Sequence, residues 1–168
     1  MKKLIVLAAS IFMLQACDDG DITLESFNFD EQIVRECTDN NLIFKINNDE
    51  LLLINIPESS FANVETPDGS PRVVNISSTN QIIYRIYSDN VNANNICSVI
   101  PPATPVVKKE WNATGGTIEI ITDALYASDG TTIIGYTHNI KFVNVNFSGS
   151  SNSFSFTEYT FGNYETSL

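Results

Sequence analysis

Ile140-Lys141-Phe142-Val143-Asn144-Val145-Asn146-Phe147, then Ser148-Gly149-Ser150-Ser151-Asn152, then Ser153-Phe154-Ser155-Phe156-Thr157-Glu158-Tyr159-Thr160-Phe161, is the stretch that decides the fold. Apolar and polar residues alternate along both arms, the period of strands with one buried face. On the first arm Ile134, Tyr136, His138, Ile140 and Phe142 are even, whereas Val143, Val145 and Phe147 are odd. On the second arm Phe154 and Phe156 are even, whereas Tyr159 and Phe161 are odd. A loop over Gly149 to Asn152 sets Phe147 opposite Phe154, Val145 opposite Phe156, Phe142 opposite Tyr159 and Ile140 opposite Phe161, so the two parity changes face each other. A slip of one residue turns every side chain to the other face. Two matched changes therefore predict a long hairpin whose buried face changes partway, at a bend or bulge of the kind found at the corners of sandwiches and barrels.

The rest of the chain reads as further strands. Ile118 and Ile120 alternate toward Asp123, and Ser128-Asp129-Gly130 suits a three-residue loop with Gly130 left-handed, pairing Ala124 with Ile134, Ile120 with His138 and Ile118 with Ile140. Ile22 to Phe29 reads as a first strand. Asn41 to Asn47 and Leu51 to Ile56 form a hairpin across Asn48-Asp49, and the nearly continuous apolar run of the second arm places it centrally, covered on both faces. Arg72 to Ile76 and Gln81 to Tyr87 alternate again, and Ser88 to Asn95 is an Asn-rich turn. Pro57 to Pro71 is a surface loop and a candidate ligand site, while Pro101, Pro102 and Pro105 make a rigid crossover between sheets rather than a polyproline ligand. No helical period and no internal repeat follows residue 17. The expected fold is all-β: an antiparallel β-sandwich, with an open barrel as the alternative, of roughly 8 to 10 strands and little or no helix, forming a single domain over residues 22–168.

Lys2 and Lys3 precede an uncharged eleven-residue run, Leu4 to Leu14, with the charge and length of a secretory signal peptide. A membrane-spanning helix wants about 20 apolar residues. Leu14-Gln15-Ala16-Cys17 resembles the lipobox of bacterial lipoproteins, with Leu14 three before the cysteine and small Ala16 next to it; Gln15 departs from the commoner small residue at the tolerant middle place. The resemblance implies that residues 1–16 are removed and that Cys17 is lipidated and begins the mature chain. Several acyl chains are needed for a durable anchor, since one holds only marginally. Asp18, Asp19, Gly20 and Asp21 follow, so residues 17–21 read either as an acidic tether or as the surface-export signal of Bacteroidota-type lipoproteins. With Ile100-Pro101-Pro102 and the Cys37 and Cys97 pair, the chain resembles small flavobacterial-type lipoproteins, a resemblance that implies no activity.

Losing Lys2 and Lys3 leaves seven cations against twenty carboxylates, taking the formal charge from −11 to −13. That balance argues against nucleic acid and anionic headgroups as partners. With Cys17 acylated, Cys37 and Cys97 remain, and an oxidising envelope favours a disulfide over two buried thiols.

No motif names a reaction. His138 is the single histidine, so any histidine triad or metal cage rests on it; its parity beside Tyr136 and Ile140 marks it as a hydrogen-bonded core or sheet-face residue. Asp123, Asp129 and Gly130 lack the alternating acidic ligands of a calcium loop, and Asp129-Gly130 is explained by the turn. No catalytic, metal or cofactor site is expected. Trp111, Tyr126, Tyr136, Tyr159 and Tyr164 are stacking candidates, of which Trp111, beside Lys108, Lys109 and Glu110, is the candidate ligand contact. The expectation is a lipid-anchored envelope lipoprotein, at the outer membrane or surface rather than the inner membrane, acting as a non-enzymatic binding or structural module on a glycan or protein partner. The alternatives are a carbohydrate-binding accessory and a hydrolase using a carboxylate pair near Pro57 to Pro71.

Overall fold

The computed structural model describes residues 27–149 and 152–168. Cys17, the acidic tether and most of the expected first strand, together with Ser150 and Ser151 of the hairpin loop, lie outside the described residues. The strands are β1 (Arg35–Glu36), β2 (Leu42–Asn47), β3 (Glu50–Asn55), β4 (Arg72–Asn75), β5 (Gln81–Tyr87), β6 (Val107–Tyr126), β7 (Ile133–Gly149) and β8 (Ser153–Ser167). A 3-10 turn covers Glu58–Phe61 and a single helical turn, α1, covers Ala93–Cys97. All pairings are antiparallel within one sheet, ordered β1-β2-β3-β5-β6-β7-β8. The all-β expectation holds, in the form of a half-barrel, the open relative of a closed barrel.

The sheet curls because its three longest strands bend at one level. Along β6 the core-facing residues change from Trp111 to Ile118 and Ile120, along β7 from Val145 and Phe147 to Phe142 and Ile140, and along β8 from Phe154 and Phe156 to Tyr159 and Phe161. At that level Gly116 has φ 103° and Asn144 has φ 51°. The backbones press together there: a Cβ on Gly116 would meet the Asn144 carbonyl oxygen at 2.5 Å and Val145 Cα at 2.7 Å. The β6–β7 register also shifts on either side of Gly115. Below the bend β6 pairs with β5, and above it with β4, so the one strand serves two neighbours on the same edge.

The final hairpin has the expected pairs Phe147–Phe154, Val145–Phe156 and Phe142–Tyr159, but Ile140 stands opposite Gly162 because the register shifts between Ile140 and Lys141. The expected change of buried face does not occur. Phe142, Val145 and Phe147 join one core, with Phe156 and Tyr159 packed against it and their rings 5.5 Å apart. The bend rotates the strands, and the parity change cancels the rotation, so the concave face stays the inner face. The preceding hairpin is also offset by two residues from expectation, pairing Ile118 with Phe142, Ile120 with Ile140 and Ala124 with Tyr136. Its turn is longer than three residues: Ala127 N–H donates to the Thr132 carbonyl at 2.8 Å, and the Asp129 carboxylate accepts the amides of Thr131 and Thr132 at 2.9 Å each. An offset of two preserves parity, so Ile118, Ile120 and Ile140 are buried as the alternation predicts, although Ile134 at the end of the hairpin is exposed.

β2 and β3 close across Asn48, whose φ is 55°. β3 is central and covered on both faces: Leu52 and Ile54 enter the main core, while Leu51 and Leu53 enter a second cluster with Cys37, Phe44, Ile83, Tyr87 and Val91. Ala93, Ile96 and Cys97 of α1 pack on that cluster, in a segment expected to be only a turn. Asn92 and Asn95 supply the reason, a reciprocal capping box: the Asn92 amide donates to Asn95 Oδ1 at 2.9 Å, and Asn92 Oδ1 also accepts the Asn94 amide at 2.9 Å. Cys37 and Cys97 are disulfide-bonded, their Cα atoms 5.3 Å apart across 60 residues of sequence. A loop of that size corresponds to roughly 4 kcal/mol of stabilisation on the chain-entropy model. The proline segment runs from α1 to β6 of the same sheet, not between sheets.

Phe27 to Phe29, expected to end a strand, form no ladder. They fill the open side instead: the Phe27 ring lies 5.1 Å from Tyr84, 4.8 Å from Phe156 and 5.3 Å from Tyr159. Lys45, only 3% exposed, donates to the Phe29 carbonyl at 2.8 Å, and its burial lowers its pKa.

The bend generates a test. Gly116→Ala should cost about 2 kcal/mol or more in urea unfolding, because it adds both a left-handed penalty and a backbone clash. Gly69→Ala, at φ 69° with open space around it, should cost less than about 1.5 kcal/mol.

Candidate functional site

Where the two edge strands of the half-barrel approach, β1 and β8 do not pair, and their side chains bridge the gap. The Tyr164 hydroxyl donates to Glu36 Oε2 at 2.6 Å. Tyr164 sits at the junction of three depressions. The first, about 290 Å³, lies between the β1–β2 turn and the 3-10 turn, bordered by Glu36, Asn40, Asn41, Glu58 and Phe61. The second, about 380 Å³, runs past Phe61 to Asn63 and Thr166, and the third, about 260 Å³, lies along the seam between β1 and β8. Burial, the bond to Glu36 and the charges of Glu36 and Glu58 together push the Tyr164 phenol well above its ordinary pKa. It is therefore a neutral hydrogen-bond donor at every physiological pH. The wall is rich in acceptors and aromatic surface, and neither of the first two depressions is bordered by a cation.

Behind Tyr164 lies a buried polar array. The His138 ring stacks on Tyr164, with centroids 5.9 Å apart, and meets the edge of Phe61 at 5.5 Å. His138 and Thr122 are both 0% exposed. Arg72 Nη1 donates to Thr122 Oγ1 at 2.7 Å, Thr122 Oγ1 lies 2.8 Å from His138 Nδ1, His138 Nε2 lies 3.1 Å from Thr166 Oγ1, and Thr166 donates to Asn63 Oδ1 at 2.6 Å. A carboxamide oxygen only accepts, so Thr166 spends its hydrogen on Asn63 and must accept from Nε2–H. In a neutral ring Nδ1 is then an acceptor, and Thr122, which accepts from Arg72, donates to it. Burial with the nearby Arg72 charge lowers the His138 pKa to about 4, which leaves the ring a neutral Nε2–H imidazole at neutral pH. The same Arg72 donates to the carbonyls of Ala62 and Val64, tying the cleft wall to β4. Thr66 and Thr122 bond reciprocally, the Thr66 amide to the Thr122 carbonyl at 3.0 Å and the Thr122 amide to Thr66 Oγ1 at 3.1 Å, which ties the Pro57 to Pro71 loop to β6.

The candidate ligand contact, Trp111, is not at this site. It is 5% exposed, stacked on Tyr84 at 5.1 Å, with its indole N–H donating to Asn152 at 2.8 Å. Its neighbouring charges suggest exposure, but Trp111 faces the core while Lys108 and Lys109, nearer the start of β6, are exposed. Of the other aromatic candidates, Tyr126 is exposed at the end of β6, Tyr136 and Tyr159 are half-buried in the sheet, and Tyr164 alone lines the cleft. The Asp129 carboxylate is spent on its own turn: hydrogen bonds from the Thr132 hydroxyl and from the Thr132 and Thr131 amides hold its pKa down at about 2. Glu36, Glu58 and Asn63 carry no local motif, since Glu36 and Tyr164 are 128 residues apart. Thr122 did leave a signal, as a polar residue on the core parity of β6, whereas Thr166 reaches the inner face only through the register shift near Gly162.

No protein-family model, curated protein or solved structure matches the chain. The fold and site define an all-β half-barrel with an acidic, aromatic-walled cleft at its seam.

A neutral buried histidine makes stability depend on pH. Between about pH 4 and the ordinary histidine value near 6.5, the unfolded chain binds a proton that the native one refuses, so stability must fall as pH falls through that window. The expected loss is on the order of 3 kcal/mol. Urea unfolding of the wild type and His138→Gln at pH 7 and pH 4.5 checks it, the variant losing less on acidification.

Proposed function

We propose that this chain is a lipid-anchored module of the bacterial cell envelope, at the outer membrane or cell surface, and that it binds a partner through the Tyr164 cleft without catalysing a reaction. The observation that carries the binding reading is the cleft itself, a concave polar surface whose aromatic wall is braced from behind by a hydrogen-bonded core. Bracing of that kind keeps a site preformed and lowers the entropy lost on binding. The anchor rests on the register of Leu14, Ala16 and Cys17 after the apolar run.

A carbohydrate partner is the first alternative. Tyr164 and Phe61 offer ring surface and Glu36, Glu58, Asn40 and Asn41 offer hydroxyl partners, whereas Trp111 offers nothing. A hydrolase is the second, favoured by one specific feature: Glu36 and Glu58 border the same cleft, and Glu58 comes from the Pro57 to Pro71 loop. Both carboxylates are exposed, however, and Glu36 already accepts from Tyr164. A general acid needs a desolvated carboxyl to hold its proton at neutral pH.

Mass spectrometry of the mature amino terminus should find diacylglyceryl-modified Cys17, and Cys17→Ser should move the protein from the membrane to the soluble fraction. An unchanged membrane fraction would overturn the anchor. Glycan arrays and calorimetry with Tyr164→Ala then address the cleft. Glycan binding lost in the variant selects the carbohydrate reading, and glycosidase turnover abolished by Glu58→Gln selects the hydrolase.

A further inference from the structure

We infer that the chain Arg72–Thr122–His138–Thr166–Asn63 is a proton-operated latch on the Tyr164 cleft, holding the cleft wall closed while the imidazole is neutral and releasing it when the imidazole gains a proton. The inference concerns regulation of the site proposed above and rests on that reading for its biological use, though not for its measurement.

The argument follows the hydrogens. In the neutral chain each donor has one acceptor and the direction runs unbroken from guanidinium to carboxamide. A proton on Nδ1 points a second donor at Thr122 Oγ1, whose own hydrogen must then turn away into fully buried surroundings. It also places an imidazolium in the field of the Arg72 guanidinium. Burying an unpaired donor and a like charge together is costly enough to favour an open arrangement. What yields is the segment that enters the array from outside the sheet. Asn63 ends the chain, Phe61 leans on the imidazole, and Ala62 and Val64 are held through the Arg72 guanidinium that the new charge repels. Phe61, Ala62 and Asn63, with Glu58, are one wall of the cleft. On the opposite side the imidazole is stacked on Tyr164, so the other wall also feels the change.

The surroundings offer the proton little compensation. From β4 comes Arg72, a repelling charge; from β6, Thr122; from β8, Thr166 and the neutral phenol of Tyr164; from the 3-10 turn and the residues after it, Phe61 and Asn63. Glu36 on β1 and Glu58 stand beyond Tyr164, and Glu65 is occupied at the Ala124 amide at 3.4 Å. Neither salt bridge among the described residues involves His138. Acid acts on other groups of the molecule too, so a variant must isolate the imidazole.

The test uses the full chain in detergent micelles, labelled at histidine, where the single histidine gives an unambiguous nuclear magnetic resonance signal. At pH 7 the ring nitrogens should report Nε2–H. The imidazole should titrate well below pH 6.5, and across its midpoint hydrogen exchange in residues 59–65, corrected for intrinsic rate, should accelerate at least tenfold while Leu51 to Ile54 stay protected. His138→Gln should abolish the step. An Nδ1–H tautomer, titration without a response in residues 59–65, or an equal step in His138→Gln would each overturn the latch. So would core strands opening at the same midpoint, which would make the event global, and this reading needs no variant to fold. The binding proposal fails separately, if the cleft takes no partner at any pH.

Discussion

The contact of Gly116 with the Asn144 backbone is the constraint on which the rest of the molecule depends. A single antiparallel sheet exposes one face unless another layer covers it, and among the described residues no second sheet and no long helix is present to do so. The chain solves this by making β6, β7 and β8 long enough to serve twice. Their lower halves extend the plane of β2, β3 and β5, and their upper halves fold over it, bringing Ile118, Ile120, Ile140 and Phe142 into one core with Leu52, Ile54, Ile82 and Tyr84. A fold of that sharpness requires two backbones at van der Waals contact, which only a residue without Cβ permits. Asn144 tolerates its own positive φ because asparagine is among the least penalised non-glycine residues there.

Half-closure leaves a slot between β1 and β8, and the slot is treated differently along its length. At one end Phe27 to Phe29 plug it with aromatic surface, and Lys45 is buried to satisfy the Phe29 carbonyl. At the other, Glu36 and Tyr164 span it with one hydrogen bond and leave open depressions on either side. The cleft is therefore a consequence of incomplete closure: a ladder running continuously from β1 to β8 would fill it with main chain. Unpaired edges are usually a liability. Here β1 is only two residues long, and at Tyr164 of β8 a ring and a carboxylate stand across the gap.

Sequence alternation carried most of the fold and little of the site. The hairpins, the twice-covered β3 and the level of the bend are all local patterns of parity, visible because each strand is either half-buried or wholly buried. Parity cannot say which way a bent sheet faces, which is why matched changes at Val143 and Glu158 were read as a change of face and not as its preservation. It also cannot see an offset of two, so the turn held by Asp129 was placed too tightly. Trp111 escapes notice for a related reason: the exposed charges before it mark the open start of the strand and say nothing against burial further along it. The site joins residues from β1, β4, β6, β7, β8 and the 3-10 turn, and contacts across such separations leave no spacing to read.

What the sequence did leave was a polar residue wherever an apolar one belonged. Thr122 continues the series Ile118, Ile120; His138 precedes Ile140 and Phe142 on the same parity; Thr166 follows Tyr164 on the parity that the register shift near Gly162 turns inward. Each taken singly is a blemish in a core strand, and substitution by valine or phenylalanine would suit the packing better. Taken together, they lie side by side on three paired strands, with Thr122 opposite His138, His138 opposite Tyr164, and Thr166 two residues further along, opposite Tyr136. Buried polar groups are tolerable only when every donor and acceptor is satisfied. This array meets that condition by taking its first donor from β4 and its last acceptor from the loop, neither of which belongs to the three strands. The same bonds that satisfy the core therefore hold the cleft wall in place, and a core of valines would have left that loop attached by its backbone contacts alone.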